Sequence, residues 1–270
     1  MKASMRFNQH FPRTHQIMKT LNVYLIATLL TASSTFAQQA ASAYSISSLP
    51  SAPAGVNSAI YPMPRLDYLF RVKATNEKAQ SQNKKAPIAI VFDGDSITDG
   101  WQGKGRAVWT ARYEKLNAFD FGISGDKTEQ VLWRLSQGQV DGLHPKLILL
   151  MIGTNNLASN TVQQIAEAIG AIIAEYRKRC PDSVILVQGI FPRGQMPSDP
   201  ARAKIKGINE IIARLADGKK VVYLDFGDKF LNADGSMSPE IMDDFLHPTP
   251  KGYEIWADAI QPVIDQYVGK

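Results

Sequence analysis

The sequence predicts an α/β protein in three layers, a five-stranded parallel β-sheet with helices on both faces. Apolar runs of strand length alternate with longer segments whose apolar residues recur every three or four positions, as in amphipathic helices. Two runs, 147–152 and 184–187, are apolar without alternation, which is typical of strands buried on both faces. Since strands joined by crossover helices are parallel, their carboxyl ends are expected at one edge of the sheet.

The predicted elements follow from these patterns. Strands are predicted at 87–93, 118–122, 146–152, 183–189 and 221–225. Helices are predicted at 106–116, 128–137, 161–179, 201–216 and 250–267. A further helix is expected within 62–78, ahead of a polar break at 80–85.

The first 37 residues have the composition of a secretory signal peptide. They contain four Lys and Arg residues and no acid, then an apolar run at 21–30, and they end in small residues at Ala37. The apolar run is too short for a transmembrane helix, so stable membrane insertion is not expected. Cleavage after Ala37 would give a secreted or periplasmic protein, and Met18, just before the apolar run, is an alternative start.

Residues 38–60 are rich in Ala, Ser, Pro and Gly and are interpreted as a flexible linker, which leaves 61–270 as the folded domain. Removal of 1–37 takes four of the 30 Lys and Arg residues and none of the 25 acids, so the net charge becomes +1. The remaining basic clusters are short and scattered. This pattern argues against a nucleic-acid partner.

The chain has one cysteine, Cys180, so an intrachain disulfide is excluded and stability depends on the core. Cys180 lies at a predicted helix end before Pro181, where a small buried side chain is favoured over a catalytic thiol. Trp101, Trp109 and Trp133 could line a cleft, although core packing suits the last two equally well. Two arginines, Arg134 and Arg193, could flank the same cleft or pair with acids.

A serine and a histidine suited to nucleophilic catalysis occur in the predicted domain. Ser96 ends a Gly-Asp-Ser tripeptide after the first strand, at the edge where parallel sheets bind ligands. A serine hydroxyl needs a base, and histidine serves best near neutral pH. Of the four histidines, two lie in the predicted signal peptide and His144 precedes the amino end of a strand. His247 is therefore the candidate base.

The remaining parts of a catalytic site are less specific. Asp244 lies three residues before His247 and can accept a hydrogen bond from its ring, although a helix-capping role explains this acid equally well. Asp243 is a weaker candidate for the same role. An oxyanion needs hydrogen-bond donors, and Gly125 and Asn155 follow the second and third strands. On local sequence alone, each of these two is more typical of a turn.

Taken together, four blocks in this order resemble the SGNH, or GDSL-type, hydrolases. The blocks are Gly-Asp-Ser at 94–96, the glycine at 125, Gly-Thr-Asn at 153–155 and Asp-Phe-Leu-His at 244–247. Within that family, 120–135 and 191–194 are similar in motif to the catalytic subunits of platelet-activating-factor acetylhydrolase. The resemblance covers about residues 86–268, with Ile97 where the GDSL motif has Leu.

The resemblance implies a flavodoxin-like SGNH hydrolase fold and a serine esterase that needs no cofactor. A metal site is not expected, because the mature chain has two histidines far apart and one cysteine. The resemblance also implies Ser96 as nucleophile, His247 as base and Asp244 as the acid that orients it, with Ser96 N–H, Gly125 and Asn155 as the oxyanion hole. The expected partner is an acylated small molecule or polysaccharide. Export suits an extracellular polymer and a shallow SGNH site suits small acyl groups, so O-acetyl groups on plant or microbial polysaccharide are the expected substrate. A lipid acyl ester is one alternative, and a carbohydrate-binding or assembly module with little turnover is another.

Overall fold

Five parallel strands and seven α-helices make up the part of the chain that the computed structural model describes, residues 51–269. The strands are β1 Ile90–Gly94, β2 Ala118–Asp120, β3 Leu147–Met151, β4 Val184–Gln188 and β5 Val221–Leu224. The helices are α1 Leu69–Lys85, α2 Ser96–Asp99, α3 Arg106–Arg112, α4 Thr128–Ser136, α5 Val162–Arg179, α6 Pro200–Ile212 and α7 Pro250–Tyr267. The predicted α/β class and the five-stranded parallel sheet are confirmed.

The order of the strands creates a crevice at the carboxyl edge of the sheet. The order is β2-β1-β3-β4-β5, the flavodoxin-like arrangement, so β1 and β3 are neighbours although β2 lies between them in sequence. In their register Gly94 lies opposite Met151. The connections that leave β1 and β3 run to opposite sides of the sheet, and ligands bind where such connections diverge. The loops after β1 and β3 therefore flank the expected site.

The two faces of the sheet bury separate apolar clusters, because side chains alternate along each strand. In β3, Ile148 and Leu150 join a cluster formed with α4, α5 and α6. The alternate residues Leu147 and Leu149 join a second cluster formed with α3 and α7. All five residues of β3 are buried, which accounts for an apolar run without alternation.

Helix α1 is longer than the sequence suggested. The predicted polar break at 80–85 is wrong, because the helix continues through it to Lys85. Only Val72 and Ala79 of α1 are buried. Because most of the helix surface faces solvent, few apolar residues are needed and their periodicity is weak. The two lysines of its last turn offset the helix dipole, and Pro87 follows the helix end.

The last residues of the predicted linker pack against the domain. Asn57 caps a 3₁₀ turn at Ser58–Ile60, and its Nδ2 donates to the carbonyl of Gln164 at 2.9 Å. Ala59 is fully buried, and its carbonyl accepts a hydrogen bond from Thr128 Oγ1 at 2.9 Å. The packed chain therefore begins before the predicted start at residue 61. The amino-acid composition of a segment does not show whether distant hydrogen bonds hold it against the domain. The predicted signal peptide lies outside the described residues.

Within residues 51–269, no helix combines the length and apolar character that crossing a membrane requires.

Trp101 and Trp109 belong to the core. Trp101 is fully buried, with ring centroids 4.6 Å from Tyr253 and 4.9 Å from Trp256. Trp109 is 3% exposed and packs on Phe92 at 5.0 Å. A cleft-lining role for Trp101 is therefore excluded, since helices α3 and α7 enclose it on one face of the sheet.

A buried charge network joins β1 to the helices behind it. Arg134 of α4 donates through Nη2 to Asp93 Oδ1 at 2.8 Å and through Nε to Asp126 Oδ2 at 2.9 Å. The three side chains are at most 3% exposed, and Gln139 and Tyr176 also bind Asp93. Burial alone would lower the pKa of Arg134, but the two carboxylates raise it above its usual value. Arg134 therefore pairs with acids rather than flanking a cleft.

Replacement of Arg134 by Met would leave two buried carboxylates without their cation. We expect the free energy of unfolding at pH 8 to fall by about 3–5 kcal/mol, the usual cost of breaking a buried pair. Burial, opposed by Arg134, raises the pKa of Asp126 to about 6. Without Arg134 this pKa rises further, and because the unfolded chain releases the proton more readily, the loss of stability should grow between about pH 6 and pH 8. Urea denaturation at several pH values measures it.

The matched control is Arg112→Met, which breaks a more exposed pair with Asp258, 2.6 Å between Nη2 and Oδ1. This change should cost less than about 1 kcal/mol. Equal losses of stability in the two variants would contradict the role given to the buried network.

Candidate active site

Three side chains from distant parts of the chain meet at the carboxyl edge of the sheet. Ser96 is the first residue of α2, directly after β1, whereas Asp244 and His247 lie in the loop before α7. Ser96 Oγ lies 2.8 Å from His247 Nε2, although the two residues are 151 positions apart. His247 Nδ1 lies 2.6 Å from Asp244 Oδ2. The structure thus brings these three predicted site residues into one hydrogen-bonded series.

The turn from β1 into α2 holds Ser96. Asp95 Oδ1 accepts a hydrogen bond from Ile97 N at 3.0 Å and so caps the helix. Ser96 is the first helical residue, so its backbone N–H has no acceptor within the helix and is available to a bound group. The Asp95 side chain is fully buried, and its burial raises the pKa of this carboxyl group to about 7.

A left-handed residue shapes the loop that carries His247. Phe245 has φ 57°, and the turn lets Asp244 Oδ1 accept from the N–H groups of Leu246 and His247 at 3.0 and 2.7 Å. Partial burial raises the pKa of Asp244, but the hydrogen bonds from the side chain and backbone of His247 outweigh this effect and lower it to about 2. The ionised carboxylate favours a proton on His247 Nδ1, which leaves Nε2 free to accept from Ser96.

The neighbouring acid has a different partner. Asp243 binds Lys104, with 2.7 Å between Oδ2 and Nζ. Asp244, and not Asp243, therefore contacts the His247 ring. The second described histidine, His144, is exposed just before the amino end of β3, away from the carboxyl edge that carries Ser96.

The loops after β2 and β3 bring Gly125 and Asn155 close together. Asn155 Nδ2 donates to the carbonyl of Asp126 at 2.9 Å, so the amide lies against the residue that follows Gly125. This bond uses one N–H of the amide, and among residues 51–269 the other has no acceptor. Gly125 has φ 81° and Gly153 has φ 124°, and glycine adopts such values with less strain than other residues.

The site is open to solvent. The side chains of His247 and Asp244 are 34% and 52% exposed. Cavities of about 500 and 570 Å³ lie near β2 and β5, and neither is lined by Ser96 or His247. The triad is therefore partly accessible to solvent.

Two arginines lie beside this site: sequence reasoning missed Arg65 and left open whether Arg134 pairs with acids or flanks the cleft. Arg65 precedes α1 and donates through Nη1 to the carbonyl of Ser124, next to Gly125. Arg134 holds Asp126, whose carbonyl receives the Asn155 amide. Arg65 acts on Ser124 from 59 positions away and lies outside every motif block, whereas Arg134 lies in the motif at 120–135, which by itself does not reveal its partners.

Cys180 takes no part in the site. It is 3% exposed within the apolar cluster that includes α5, and burial raises the pKa of its thiol to about 11. A thiol with such a pKa is almost entirely protonated near neutral pH, which makes it a poor nucleophile.

The site combines an uncharged hydroxyl, an imidazole next to it, an ionised acid behind the imidazole and nearby N–H donors. These are the groups that acyl transfer to a serine requires.

The family model described as "GDSL-like Lipase/Acylhydrolase family" matches residues 92–255. The chain is also 34% identical over 202 residues to the platelet-activating factor acetylhydrolase IB subunit alpha1 of Rattus norvegicus, which covers 74% of this chain and 85% of that protein.

Solved structures share the fold. A GDSL-like lipase from Bacteroides thetaiotaomicron VPI-5482 aligns with a TM-score of 0.58 at 20% identity, over 72% of this chain and 98% of that one. A catalytic mutant of an acetylxylan esterase from Geobacillus stearothermophilus aligns with a TM-score of 0.53 at 18% identity, over 65% of this chain and 93% of that one. At these identities the likeness concerns the fold alone.

Proposed function

The chain belongs to the GDSL-like lipase/acylhydrolase family and is a carboxylic ester hydrolase, and on this premise we propose that it cleaves small acyl esters with Ser96 as its nucleophile. The family resemblance expected from the four sequence blocks is confirmed. The observation that carries the proposal is the hydrogen-bonded series Ser96, His247 and Asp244, at 2.8 and 2.6 Å.

The proposed reaction proceeds in two steps through an acyl-enzyme. His247 Nε2 accepts the hydroxyl proton as Ser96 Oγ attacks the ester carbonyl, and the ionised Asp244 stabilises the imidazolium. The imidazolium then gives its proton to the departing alcohol, which leaves the acyl group on Ser96. Water, activated by the same imidazole, releases the acid and restores the serine.

The oxyanion of each tetrahedral intermediate needs donors that are in place before the reaction. We assign this role to the backbone N–H groups of Ser96 and Gly125 and to the second N–H of the Asn155 amide. The first N–H of Asn155 is used by the Asp126 carbonyl, which fixes the plane of the amide. Fixed donors stabilise the developing charge without reorganising, which is why they are effective.

An acetyl group is the proposed acyl part of the ester. Neither of the two cavities described above is lined by Ser96 or His247, and a long acyl chain would need an apolar groove beside them to bury it, which favours a small acyl group. The sequence relative is named for an acetyl ester, and so is one protein that shares the fold.

For the alcohol part we propose a carbohydrate polymer outside the cytoplasm. A partly exposed triad leaves room for a large alcohol that stays in solvent, and the predicted signal peptide at 1–37 would export the enzyme to such polymers. A lipid acetyl ester is the second candidate, favoured by the 34% identity to an acetylhydrolase of platelet-activating factor.

The adjacent acids Asp243 and Asp244 offer a matched pair of variants. Asp244→Asn should lower kcat on p-nitrophenyl acetate by roughly 10³–10⁴-fold, because an amide no longer favours the required tautomer of His247. Asp243→Asn removes only an exposed pair with Lys104 and should keep kcat within about threefold of the parent enzyme. The triad assignment fails if the two variants have equal activity or if the effects are reversed.

The alcohol part is tested by acetate release. Acetylated xylan and a phospholipid with an acetyl ester are compared by kcat/KM, with Ser96→Ala as the blank. We expect kcat/KM to be higher for the xylan by about tenfold or more, because binding-site contacts commonly separate two substrates by at least that factor. Preference for the phospholipid would replace the carbohydrate by the lipid alternative. Parent enzyme that hydrolyses neither these esters nor p-nitrophenyl acetate would indicate a binding module instead.

A further inference from the structure

Arg65 lies in the segment before α1, residues 51–68, here called the arm. Its side chain binds the loop after β2. Its Nη1 donates to the carbonyl oxygen of Ser124 at 2.5 Å and lies 3.6 Å from Asp126 Oδ1. The side chain is 24% exposed, so most of it is enclosed by the loop and the arm. Arg65 precedes residue 92, where the match to the family model begins, so the motif blocks give this arginine no role.

The guanidinium is held in place by its own segment. Its Nη2 donates to Asp67 Oδ2 at 3.1 Å, and its carbon lies 3.9 Å from the centre of the Tyr68 ring. Upstream, Met63 N donates to the carbonyl of Glu129 in α4 at 3.1 Å, which ties the arm to the domain. Partial burial lowers the pKa of Arg65, but Asp67 and Asp126 outweigh this effect and raise the pKa above its usual value. The charge on Arg65 is therefore permanent.

The carbonyl of Ser124 and the N–H of Gly125 belong to one peptide unit. The unit is planar and trans, so the two groups point to opposite sides of it. A donor that fixes the direction of the carbonyl thus fixes the direction of the N–H as well. Hydrogen bonds also polarise one another in series, so a cation on the oxygen strengthens the N–H as a donor.

We infer that Arg65 is a positioning residue for the oxyanion hole, and that it acts by orienting and polarising the Gly125 N–H through the peptide unit of Ser124 and Gly125. The inference rests on the proposed function, in which that N–H stabilises the oxyanion. It adds to the site a group that touches neither substrate nor reacting atoms.

The rest of the loop is held by other contacts, which leaves this task to Arg65. Ser124 Oγ and N both donate to Asp99 Oδ2, at 2.6 and 3.3 Å. Asp126 is held by Arg134 on one side and by the Asn155 amide on its carbonyl. Among residues 51–269, only Arg65 donates to the Ser124 carbonyl.

The close approach of Arg65 also adds to the requirement for glycine at position 125. A Cβ there would lie 2.6 Å from Arg65 Nη1, closer than real contacts allow. The glycine therefore serves two needs, a positive φ and room for the guanidinium against the backbone.

The test compares Arg65→Met and Arg65→Lys with the parent enzyme on p-nitrophenyl acetate. Arg65→Met should lower kcat by roughly 10–100-fold, as for loss of a charged hydrogen bond, with KM within about twofold. Arg65→Lys keeps the positive charge but lacks the planar guanidinium with its fixed N–H donors, so it should give an intermediate kcat. Affinity for a trifluoromethyl ketone, which mimics the tetrahedral intermediate, should fall in parallel with kcat/KM.

Two reference variants make the result decisive. Asn155→Ala, which deletes a proposed donor, should lower kcat by roughly 10²–10³-fold. Arg112→Met breaks an arginine–carboxylate pair between α3 and α7 and should leave kcat unchanged. Assays are run well below each melting temperature, and active sites are counted from the acyl-enzyme burst, so unfolding cannot cause the loss.

Each outcome has a definite meaning. If Asn155→Ala lowers kcat as expected and Arg65→Met keeps kcat within about threefold of the parent enzyme, the proposed oxyanion hole is supported and the inference about Arg65 is overturned. A raised KM at unchanged kcat also overturns it, because Arg65 would then contact substrate. If both variants keep full kcat, the proposed oxyanion hole itself is wrong.

Discussion

The pairing of β1 with β3 is the constraint on which the site depends. It places the loop that carries Ser96 beside the loop that carries Asn155, and it reverses the winding of the chain so that these loops diverge around a crevice. Both strands are buried on both faces, so the register is fixed by packing above and below the sheet. The core thus places Ser96 and Asn155, whereas Asp244 and His247 are carried by the loop before α7.

A second constraint links the core to the loop after β2. Arg134 binds Asp93 at the end of β1 and Asp126 beyond β2, and Asp126 in turn receives the Asn155 amide. The same loop is contacted from the solvent side by Arg65. Charged hydrogen bonds therefore hold the loop from both sides, and backbone donors held in this way can stabilise an oxyanion without moving.

Much of the fold follows from local patterns, because buried parallel strands and amphipathic helices have distinct periodicities. The candidate site also follows, since His247 is the histidine placed to serve Ser96. Local patterns fail where tertiary contacts decide. The polar end of α1 predicts a break, Trp101 is predicted to line a cleft, and Ala59 lies in a segment of linker composition, yet each is held by distant partners.

Covalent labelling of the proposed nucleophile tests the account most directly. The enzyme is treated with a fluorophosphonate, and the adduct is located by peptide mass spectrometry in the parent and in His247→Asn. The account predicts one adduct, on Ser96, and a labelling rate in the variant that is lower by roughly 10²-fold or more, because the base is missing. An adduct on another residue, or labelling of His247→Asn at the parent rate, would contradict it.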